Sequence, residues 1–266
     1  MAKNFTPKLS PRLEGIVSLV PKGLKVADVG CDHGYISIAL LQRGIAISSV
    51  ASDIKEGPLE QAKKNIEKAH LEDKIQTRLC PGINGLKCDE ADVIVIAGMG
   101  QRTIAEILLS DMETVKKVKY LVLQPQSEIP EMREFIRDNG FHLVKNIMIR
   151  EGEKFYFAML VAANEELAAA ALGSNRSISD KIISNFKQPE VADYAGELDI
   201  LFGLDLICFD SEFKHYLMHV DKEWSDAAEK IRNAKKPDFD KERELTKKAE
   251  SAKIALEMNN MFCKGV

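Results

Sequence analysis

The first 163 residues alternate between short apolar runs and amphipathic segments, and this alternation constrains the fold more than any other feature of the sequence. Strands that alternate with helices form right-handed βαβ units and a mostly parallel sheet. The apolar runs predict strands at Lys25–Val29, Ile45–Ser52, Ile75–Leu79, Asp92–Ala97, Tyr120–Leu123, Phe141–Arg150 and Lys154–Val161. The amphipathic segments between them predict helices at Gly34–Arg43, Pro58–Ala69, Thr103–Ser110 and Pro130–Asn139.

The last two predicted strands are joined only by Glu151 and Gly152, too short a link for a helical crossover. Strands joined by so tight a turn pair as an antiparallel hairpin. A parallel sheet closed by such a hairpin is typical of class I methyltransferases, whereas a dehydrogenase sheet more often continues with crossovers. We therefore expect an α/β fold with a Rossmann-like sheet, mostly parallel, that ends in an antiparallel edge hairpin.

After residue 163 the strand pattern ends, and Ala, Glu, Lys and Leu predominate. The pattern predicts helices at Glu165–Leu172, Glu190–Ile207, Phe209–Ala234 and Asp240–Phe262, with a polar break over Gly173–Asp180. Pro237 and its polar neighbours interrupt the last two helices, which indicates a helical hairpin. We expect two domains: a catalytic α/β domain over residues 1–163 and a C-terminal α-helical appendage, similar to a coiled coil, over residues 164–266.

Composition excludes several classes of protein. Lys and Arg number 37 against 41 Asp and Glu, a formal net charge of −4, so a nucleic-acid partner must be met by a local patch. No apolar run approaches the ~18 residues of a membrane span, and residues 1–10 lack the apolar core of a signal peptide. The five cysteines are scattered without a Cys-x-x-Cys pair, which favours the reducing cytoplasm and predicts no structural metal.

A glycine turn follows the first strand, in the segment Val26–Tyr35. Gly30 permits a tight turn, and the helix beyond it begins with free N–H groups. A dinucleotide-binding turn has a glycine where this chain has Asp32. A carboxylate there would repel a diphosphate but tolerates a sulfonium cation, so we expect S-adenosylmethionine rather than NAD. Asp28, at the strand end, either fixes the turn or binds the α-amino group of the cofactor.

Asp53 ends the second strand about 20 residues beyond the glycine turn, the spacing at which an acid accepts the ribose hydroxyls of an adenosine cofactor. We assign cofactor binding to Asp53 and its neighbour Ile54. Asn84, in the loop after the third strand, is a candidate for the adenine edge or else a turn residue. Gly98 and Met99 end the fourth strand and are expected to form the floor beside the methyl donor.

Two glutamines, Gln124 and Gln126, follow the fifth strand and are candidates for reading a base edge. The motif expected in this region of amino N-methyltransferases, Asn-Pro-Pro-Tyr, is absent after the fourth strand. Methylation of an exocyclic amine is therefore the less favoured reaction.

Six segments in this order make the resemblance specific. They are Asp28-Val-Gly-Cys-Asp-His-Gly-Tyr35, Asp53-x-x-Glu-Gly-Pro58, Asn84-Gly-Leu86, Ile96-Ala-Gly-Met-Gly100, Leu123-Gln-Pro125 and Glu153-Lys-Phe-Tyr156. Together they resemble the bacterial tRNA adenine-22 N1-methyltransferase family, over roughly residues 8 to 163. The resemblance implies tRNA as substrate, S-adenosylmethionine as methyl donor, S-adenosylhomocysteine as product and no metal.

The N1 atom of adenine carries a lone pair and no proton, so catalysis in such a family rests mostly on positioning. The product ring is cationic, and Asp32 is the candidate that stabilises this charge, with His33 as the alternative base. Tyr35 and Tyr156 are candidates to stack on the flipped adenine, although each can equally serve in packing. Arg12, in a basic helix predicted to begin with Ser10 as cap and Pro11 in its first turn, is the candidate phosphate contact.

Other functions remain open at this level. The chain could methylate another RNA, a protein or a small molecule, or bind RNA without catalysis. A nicotinamide-linked dehydrogenase is opposed by Asp32 and by the terminal hairpin. The sequence does not determine the oligomeric state, and a monomer is the favoured expectation.

Overall fold

The computed structural model describes residues 5–87, 89–172 and 189–263. Within them, seven strands form one sheet in the order β3-β2-β1-β4-β5-β7-β6. The strands are β1 Leu24–Val29, β2 Ala46–Asp53, β3 Ile75–Leu79, β4 Val93–Met99, β5 Tyr120–Pro125, β6 His142–Glu151 and β7 Lys154–Ala162. All seven predicted strands are present, which confirms the α/β fold class.

The pairing follows the sequence prediction. β1 to β5 are parallel, whereas β7 is antiparallel to both β5 and β6. The turn between β6 and β7 closes at the pair Glu151 and Lys154, so the edge hairpin is confirmed. The order places β1 beside β2 on one side and β4 on the other, which is the switch point where ligands bind in such sheets.

Helices cover both faces of the sheet. They are α1 Pro11–Leu19, α2 Tyr35–Gln42, α3 Glu56–Lys68, α4 Gln101–Ser110, α5 Met112–Lys117, α6 Ile129–Asp138 and α7 Glu165–Leu172. One buried cluster joins the sheet to α1 and α2 through residues such as Ile16 and Leu40. Another joins the opposite face to α4 and α6 through Ile104 and Ile136. Because both faces are covered, the carboxyl edge of the parallel strands is the part of the sheet left open to a ligand.

The start of α1 differs from the prediction in its capping. The helix begins at Pro11 as expected, but the Ser10 side chain makes no capping hydrogen bond. The N–H of Arg12 instead donates to Oε2 of Glu151 at 3.1 Å. An orphan N–H of the first turn is thus satisfied from the edge hairpin, a tertiary contact that local sequence cannot reveal.

The chain divides into two compact units, Met1–Ser174 and Asn175–Val266. The boundary drawn at residue 163 is a prediction from sequence character, and α7, which lies beyond it, packs on β6 and β7 of the first unit. The N-cap of α7 is Asn164, whose Oδ1 accepts the N–H of Leu167 at 2.9 Å.

The second unit contains α8 Pro189–Phe202, α9 Leu204–Phe209, α10 Phe213–Arg232 and α11 Phe239–Phe262. The helix predicted over Glu190–Ile207 is two helices, because Gly203 breaks it with a φ of +81°. α10 and α11 pack against each other as the predicted hairpin. Asp238 caps α11 by accepting the N–H of Lys241 at 3.1 Å. The polar break predicted over Gly173–Asp180 lies outside the described residues.

No helix among the described residues is long and apolar enough to cross a membrane.

Candidate active site

A pocket of about 580 Å³ lies at the carboxyl ends of β1, β2 and β4. The glycine turn, the segment after β2, the loop after β3, the end of β4 and the first turn of α1 contribute to its walls. Of the predicted site residues, Arg12, Asp28, Gly30, Asp32, His33, Tyr35, Asp53, Ile54, Gly98, Met99 and Gln126 line it. Residues that are far apart in sequence thus converge because parallel strands end on one edge.

The glycine turn approaches its neighbours closely. Gly30 has a φ of +72°, and a Cβ built on it would lie 2.3 Å from Cε of Met99. The N–H groups of Gly30 and Cys31 both donate to the carbonyl of Ser52, at 2.8 and 2.9 Å. The turn is therefore tied to β2, and the end of the Met99 side chain occupies the place that a side chain on residue 30 would need.

Asp28 is buried beneath this turn. Its Oδ2 accepts the Oγ–H of Ser37 at 2.8 Å and the N–H of Ser37 at 3.3 Å. Burial raises the pKa of Asp28 to about 6. Of the two roles left open by the sequence, these bonds support the fixing of the turn, although the residue also lines the pocket.

Asp53 and Asp32 face each other across the mouth of the turn. Oδ1 of Asp53 accepts the N–H of Lys55 at 2.8 Å, and Oδ2 lies 3.4 Å from the N–H of Asp32. A carboxylate has about four lone-pair sites, so both oxygens can still accept hydroxyl groups. The neighbouring Ile54 is 66% exposed, an apolar surface available to a flat ring.

His33 contacts Asp32 through the edge of its ring and Tyr35 through one face. Its Nε2 lies 3.7 Å from Oδ1 of Asp32, and the ring stacks on Tyr35 with centroids 5.2 Å apart and planes at 22°. Nδ1 is buried and has no hydrogen-bond partner among the described residues. The carboxylate of Asp32 remains 69% exposed, so it is available to a group that enters the pocket.

Arg12 enters the pocket from α1, and its side chain is held from behind. Nη1 donates to Oε1 of Gln124 at 2.8 Å, and the guanidinium lies over the ring of Tyr156 at 5.7 Å. Gln124 is fully buried, and its Nε2 donates to the carbonyl of Pro125 at 2.8 Å. Neither Gln124 nor Tyr156 lines the pocket, so the structure places both behind Arg12 and away from a substrate base.

Gln126 lines the pocket, whereas Asn84 does not. The N–H of Gln126 donates to the carbonyl of Met99 at 2.9 Å, and its exposed side chain lines the pocket. Asn84 lies outside the lining, where its Oδ1 accepts from Oγ of Ser110 at 3.1 Å. The expectation that Asn84 meets the adenine edge is not met by this geometry, because the side chain is turned towards α4.

Several lining residues were not singled out from the sequence. They are Leu13, Val29, Cys31, Ile36, Lys55, Pro58, Cys80, Pro81, Gly82, Ala97, Thr103 and Ile107. Pro81 and Gly82 could have been found, since they follow β3 directly and so occupy the carboxyl edge. Burial raises the pKa of the Cys31 thiol, which keeps it protonated. Among the described residues, no group of His, Cys, Asp and Glu could hold a metal ion.

The chemistry of the lining fits a nucleoside that carries a charged tail. Asp53 offers acceptors for adjacent hydroxyl groups, Ile54 and Pro81 offer apolar surface for a base, and Gly30 allows close approach of the backbone. Gly30 and the end of Met99 pack closely in the lining, and we call this pair the cradle against which a sulfur centre can lie.

Known proteins match this chain over the same segments. A family model described as a methyltransferase domain matches residues 9–159. The tRNA (adenine(22)-N(1))-methyltransferase of Bacillus subtilis (strain 168) is 33% identical over 162 residues, which cover 61% of this chain and 68% of that protein.

Solved structures extend the match to nearly the whole chain. The structure of the B. subtilis m1A22 tRNA methyltransferase TrmK has a TM-score of 0.75 at 26% identity, covering 94% of this chain and 99% of that one. A Streptococcus pneumoniae candidate tRNA (m1A22) methyltransferase, solved in complex with S-adenosyl-L-methionine, has a TM-score of 0.69 at 31% identity. It covers 94% of this chain and 100% of its own.

Proposed function

The chain belongs to the family of tRNA (adenine-22-N1)-methyltransferases, and we propose on this premise that it transfers a methyl group from S-adenosylmethionine to N1 of adenine 22 in tRNA. The observation that carries the proposal is the convergence of Gly30, Asp32 and Asp53 on one pocket at the switch point of the sheet. Such a pocket suits an adenosine cofactor that bears no phosphate, since an acid stands where a diphosphate would lie.

The cofactor's residues follow from the lining. Asp53 accepts the ribose hydroxyls, Ile54 and Pro81 flank the adenine, and the turn at Gly30 lies against the sulfur. When bound, S-adenosylmethionine supplies an activated methyl group that a ring nitrogen can take directly. Asp28 fixes the turn through Ser37 and so keeps the cradle in shape.

Asp32 is the residue that we assign to catalysis. The N1 lone pair attacks without loss of a proton, so the adenine becomes cationic as the methyl group moves. An exposed carboxylate at the mouth of the turn stabilises charge that develops only in the transition state. Its backbone N–H already faces Asp53, which leaves the side chain free to meet the adenine or its exocyclic amine.

The substrate side consists of residues around the same opening. A target adenine inside a folded tRNA must be flipped out and held. His33 and Tyr35 form a stacked pair at the rim, and Gln126 presents an exposed amide beside Met99. We assign these three to the adenine, with His33 as a hydrogen-bonding partner and not as an obligatory base, because N1 needs none.

We also expect the protein to act as a cytoplasmic monomer. Four of its five cysteines are described by the structure, and all four are free thiols, as the reducing cytoplasm favours. The pocket is built from the first unit alone, so the proposed reaction does not require a second copy.

The test is methyl transfer with labelled S-adenosylmethionine to tRNA that lacks modification, followed by nucleoside analysis. We expect label in 1-methyladenosine and none in a matched tRNA whose adenine 22 is replaced by guanine. Label at another adenine would support methylation of N1 in tRNA but assign it to a position other than 22. No transfer to tRNA, with S-adenosylhomocysteine still raising the melting temperature, would refute the tRNA substrate and favour another RNA, a protein or a small molecule.

A further inference from the structure

A buried amide of α3 contacts the glycine turn. Asn65 is only 3% exposed, although buried neighbours on the same helix, such as Ala62 and Ile66, are apolar. Its Nδ2 donates to the carbonyl of His33 at 3.0 Å, and its Oδ1 accepts the Nε2 hydrogen of Gln61 at 3.1 Å. Both ends of the amide are thus bonded, as a buried polar group requires. The first of these bonds ties α3 to the turn across 32 residues of sequence.

The same helix contacts the turn a second time, one residue further along. Gly34 has a φ of +71°, and a Cβ built on it would lie 3.2 Å from Cβ of Ala62. Ala62 stands about one helical turn before Asn65, so the two side chains lie on the same face of α3. A peptide group is planar. The two contacts therefore fix the plane that joins the carbonyl of His33 to Cα of Gly34.

This peptide follows closely on Asp32, whose backbone is strained. Asp32 has a φ of +46°, in a region that residues with a Cβ seldom adopt unless their surroundings hold them there. On one side its N–H faces Oδ2 of Asp53 at 3.4 Å. On the other side the peptide between His33 and Gly34 is held by α3. Without a donor for the His33 carbonyl, we expect the turn to relax and the carboxylate of Asp32 to move.

The cofactor side of the turn is held by other contacts. The N–H groups of Gly30 and Cys31 donate to the carbonyl of Ser52 and tie that end of the turn to β2. Asn65 does not line the pocket, so it contacts neither cofactor nor substrate there. Loss of its amide should therefore displace the carboxylate of Asp32 more than the surfaces that we assign to S-adenosylmethionine.

We propose that Asn65 is a positioning residue for methyl transfer, and that its amide, acting through the His33 carbonyl, directs the carboxylate of Asp32 towards the target adenine. The inference rests on the proposed function, in which Asp32 stabilises the cationic ring. Stabilisation of a developing charge depends on groups that are already in place before the reaction. A residue of α3 outside the pocket thus takes part in the reaction by holding the turn.

The first experiment changes the two bonds of the amide separately. Asn65→Asp keeps an acceptor for Gln61 and replaces the donor to His33 by an oxygen, whereas Gln61→Leu leaves that donor in place. Single-turnover methyl transfer should fall about 10- to 100-fold in Asn65→Asp, the order of effect that a displacement of about 1 Å can have. Gln61→Leu is the matched control and should stay near the wild-type rate. The affinity for S-adenosylhomocysteine, measured by calorimetry, should change by less than about threefold in both variants.

The second experiment is a double-mutant cycle, which separates positioning from general damage to the fold. Asn65→Leu removes the whole amide and is combined with Asp32→Asn. Because Asn65 acts through the carboxylate of Asp32, the double variant should be slower than Asp32→Asn alone by no more than about twofold. A purely structural role would multiply the two losses. Melting temperatures without ligand are the control for folding, and Asn65→Asp enters the same cycle if Asn65→Leu does not fold.

A crystal structure of the folded Asn65 variant without tRNA tests the geometry directly. We expect the carboxylate of Asp32 to move by about 1 Å or more, while Gly30 and Asp53 keep their places. A carboxylate that stays in place would overturn the inference.

Three further results would also overturn it. Equal losses of rate and of S-adenosylhomocysteine affinity would place Asn65 in the support of the cofactor site. Multiplied losses in the double-mutant cycle would make its role structural. An active wild type with an equally active Asn65→Asp would refute the inference alone, whereas a wild-type protein that methylates no tRNA would refute the proposed function and the inference with it.

Discussion

The N–H of Asp32 points at Oδ2 of Asp53 over 3.4 Å and joins the ends of β1 and β2 at the mouth of the pocket. The backbone of Asp32, with a φ of +46°, makes this contact, while the carboxylate stays exposed. The residue thus has two separable parts: a main chain that shapes the cofactor site and a side chain that is available for chemistry.

This separation predicts the behaviour of Asp32→Asn. Methyl transfer should fall about 100-fold or more, because a neutral amide cannot stabilise the positive charge that develops on adenine. Cofactor affinity should change by less than about threefold, since the N–H to Asp53 is retained. Single-turnover rates and calorimetry measure the two effects.

Asp32→Gly serves as the matched control for backbone conformation, because glycine adopts a positive φ without strain. It should be as inactive as Asp32→Asn and at least as well folded. A near-wild-type rate in either variant would remove Asp32 from the catalytic role.

The cradle beside Met99 predicts the effect of Gly30→Ala. Two costs arise: the left-handed backbone, about 1 kcal/mol or more for a residue with a Cβ, and the contact at 2.3 Å from Cε of Met99. We expect a lower free energy of unfolding and a loss of S-adenosylhomocysteine affinity of about tenfold or more, since Met99 is pushed into the pocket.

Gly44→Ala isolates the backbone cost. Gly44 has a similar φ of +63° with nothing within 4 Å of its Cβ position. This variant should lose only the backbone cost, and so less stability than Gly30→Ala, and keep the full affinity for S-adenosylhomocysteine. Equal affinities in the two variants would show that the cradle does not contact the cofactor.

The buried Asp28 predicts a pH dependence of stability. Its pKa in the folded chain is raised to about 6 because burial disfavours the charged form. A raised carboxyl pKa means that the folded state holds the proton that the unfolded state releases. Its stabilising contribution is therefore present below the unfolded pKa of about 4 and is lost as the pH rises through 6.

The Asp28→Asn variant has no titrating side chain at this position and is the reference for the pH dependence of stability. The free energy of unfolding of wild type minus that of Asp28→Asn should fall by roughly 2 to 3 kcal/mol between pH 4 and pH 7. Denaturant melts across this range measure the difference. A difference that is flat with pH, or that rises, would mean that Asp28 is not a desolvated carboxyl.

The loop after β3 is held by an ion pair between Arg78 and Glu90. This pair predicts a pH dependence of stability opposite in direction to that of Asp28. Arg78 donates to the carboxylate of Glu90 at 2.6 Å and also to the carbonyl of Gly85. The bond from Arg78 to Glu90 lowers the pKa of Glu90 to about 2. Its stabilisation is present above the unfolded pKa of about 4 and is lost as the pH falls towards 2.

Glu90→Gln should therefore lose about 1 to 2 kcal/mol of stability at pH 7, a figure reduced for partial exposure of both side chains. It should also weaken S-adenosylhomocysteine binding severalfold, because Pro81 and Gly82 of the same loop line the pocket. Glu60→Gln, which breaks an exposed surface pair with Lys63, is the control and should change neither quantity. Identical melting curves for wild type and Glu90→Gln would contradict the role of the pair.

The periodicity of apolar residues predicts most of the strands and helices, because their apolar side chains face the covered sheet. Ile75–Leu79 has the bounds predicted for it, and the other strands differ by a few residues at their ends. The short helix Met112–Lys117 was missed, since six residues carry too little apolar pattern and the cap at Asp111 was not recognised. The sequence predicts a helix through Gly203, because nothing local to Glu190–Ile207 indicates that its backbone takes a positive φ.

The site was predictable in position more than in orientation. The carboxyl ends of the strands predict that Gly30, Asp32, Asp53 and Gly98 come together, because topology alone brings them to one edge, and all four line the pocket. The direction of a side chain depends on partners from distant segments. Gln124 therefore turned inward to Arg12, and Asn84 turned to Ser110, although both lie in loops or strand ends that border the pocket.

The bond from Arg12 to Glu151 also sets an order of events during synthesis. The two residues are 139 positions apart, so the first turn of the first helix has no cap until the last hairpin of the sheet has left the ribosome. A nascent chain stalled before that hairpin can form its glycine turn and still lack both the strand that holds Tyr156 and the cap on α1. The contacts that hold Arg12 are therefore complete only after the whole first unit has been translated.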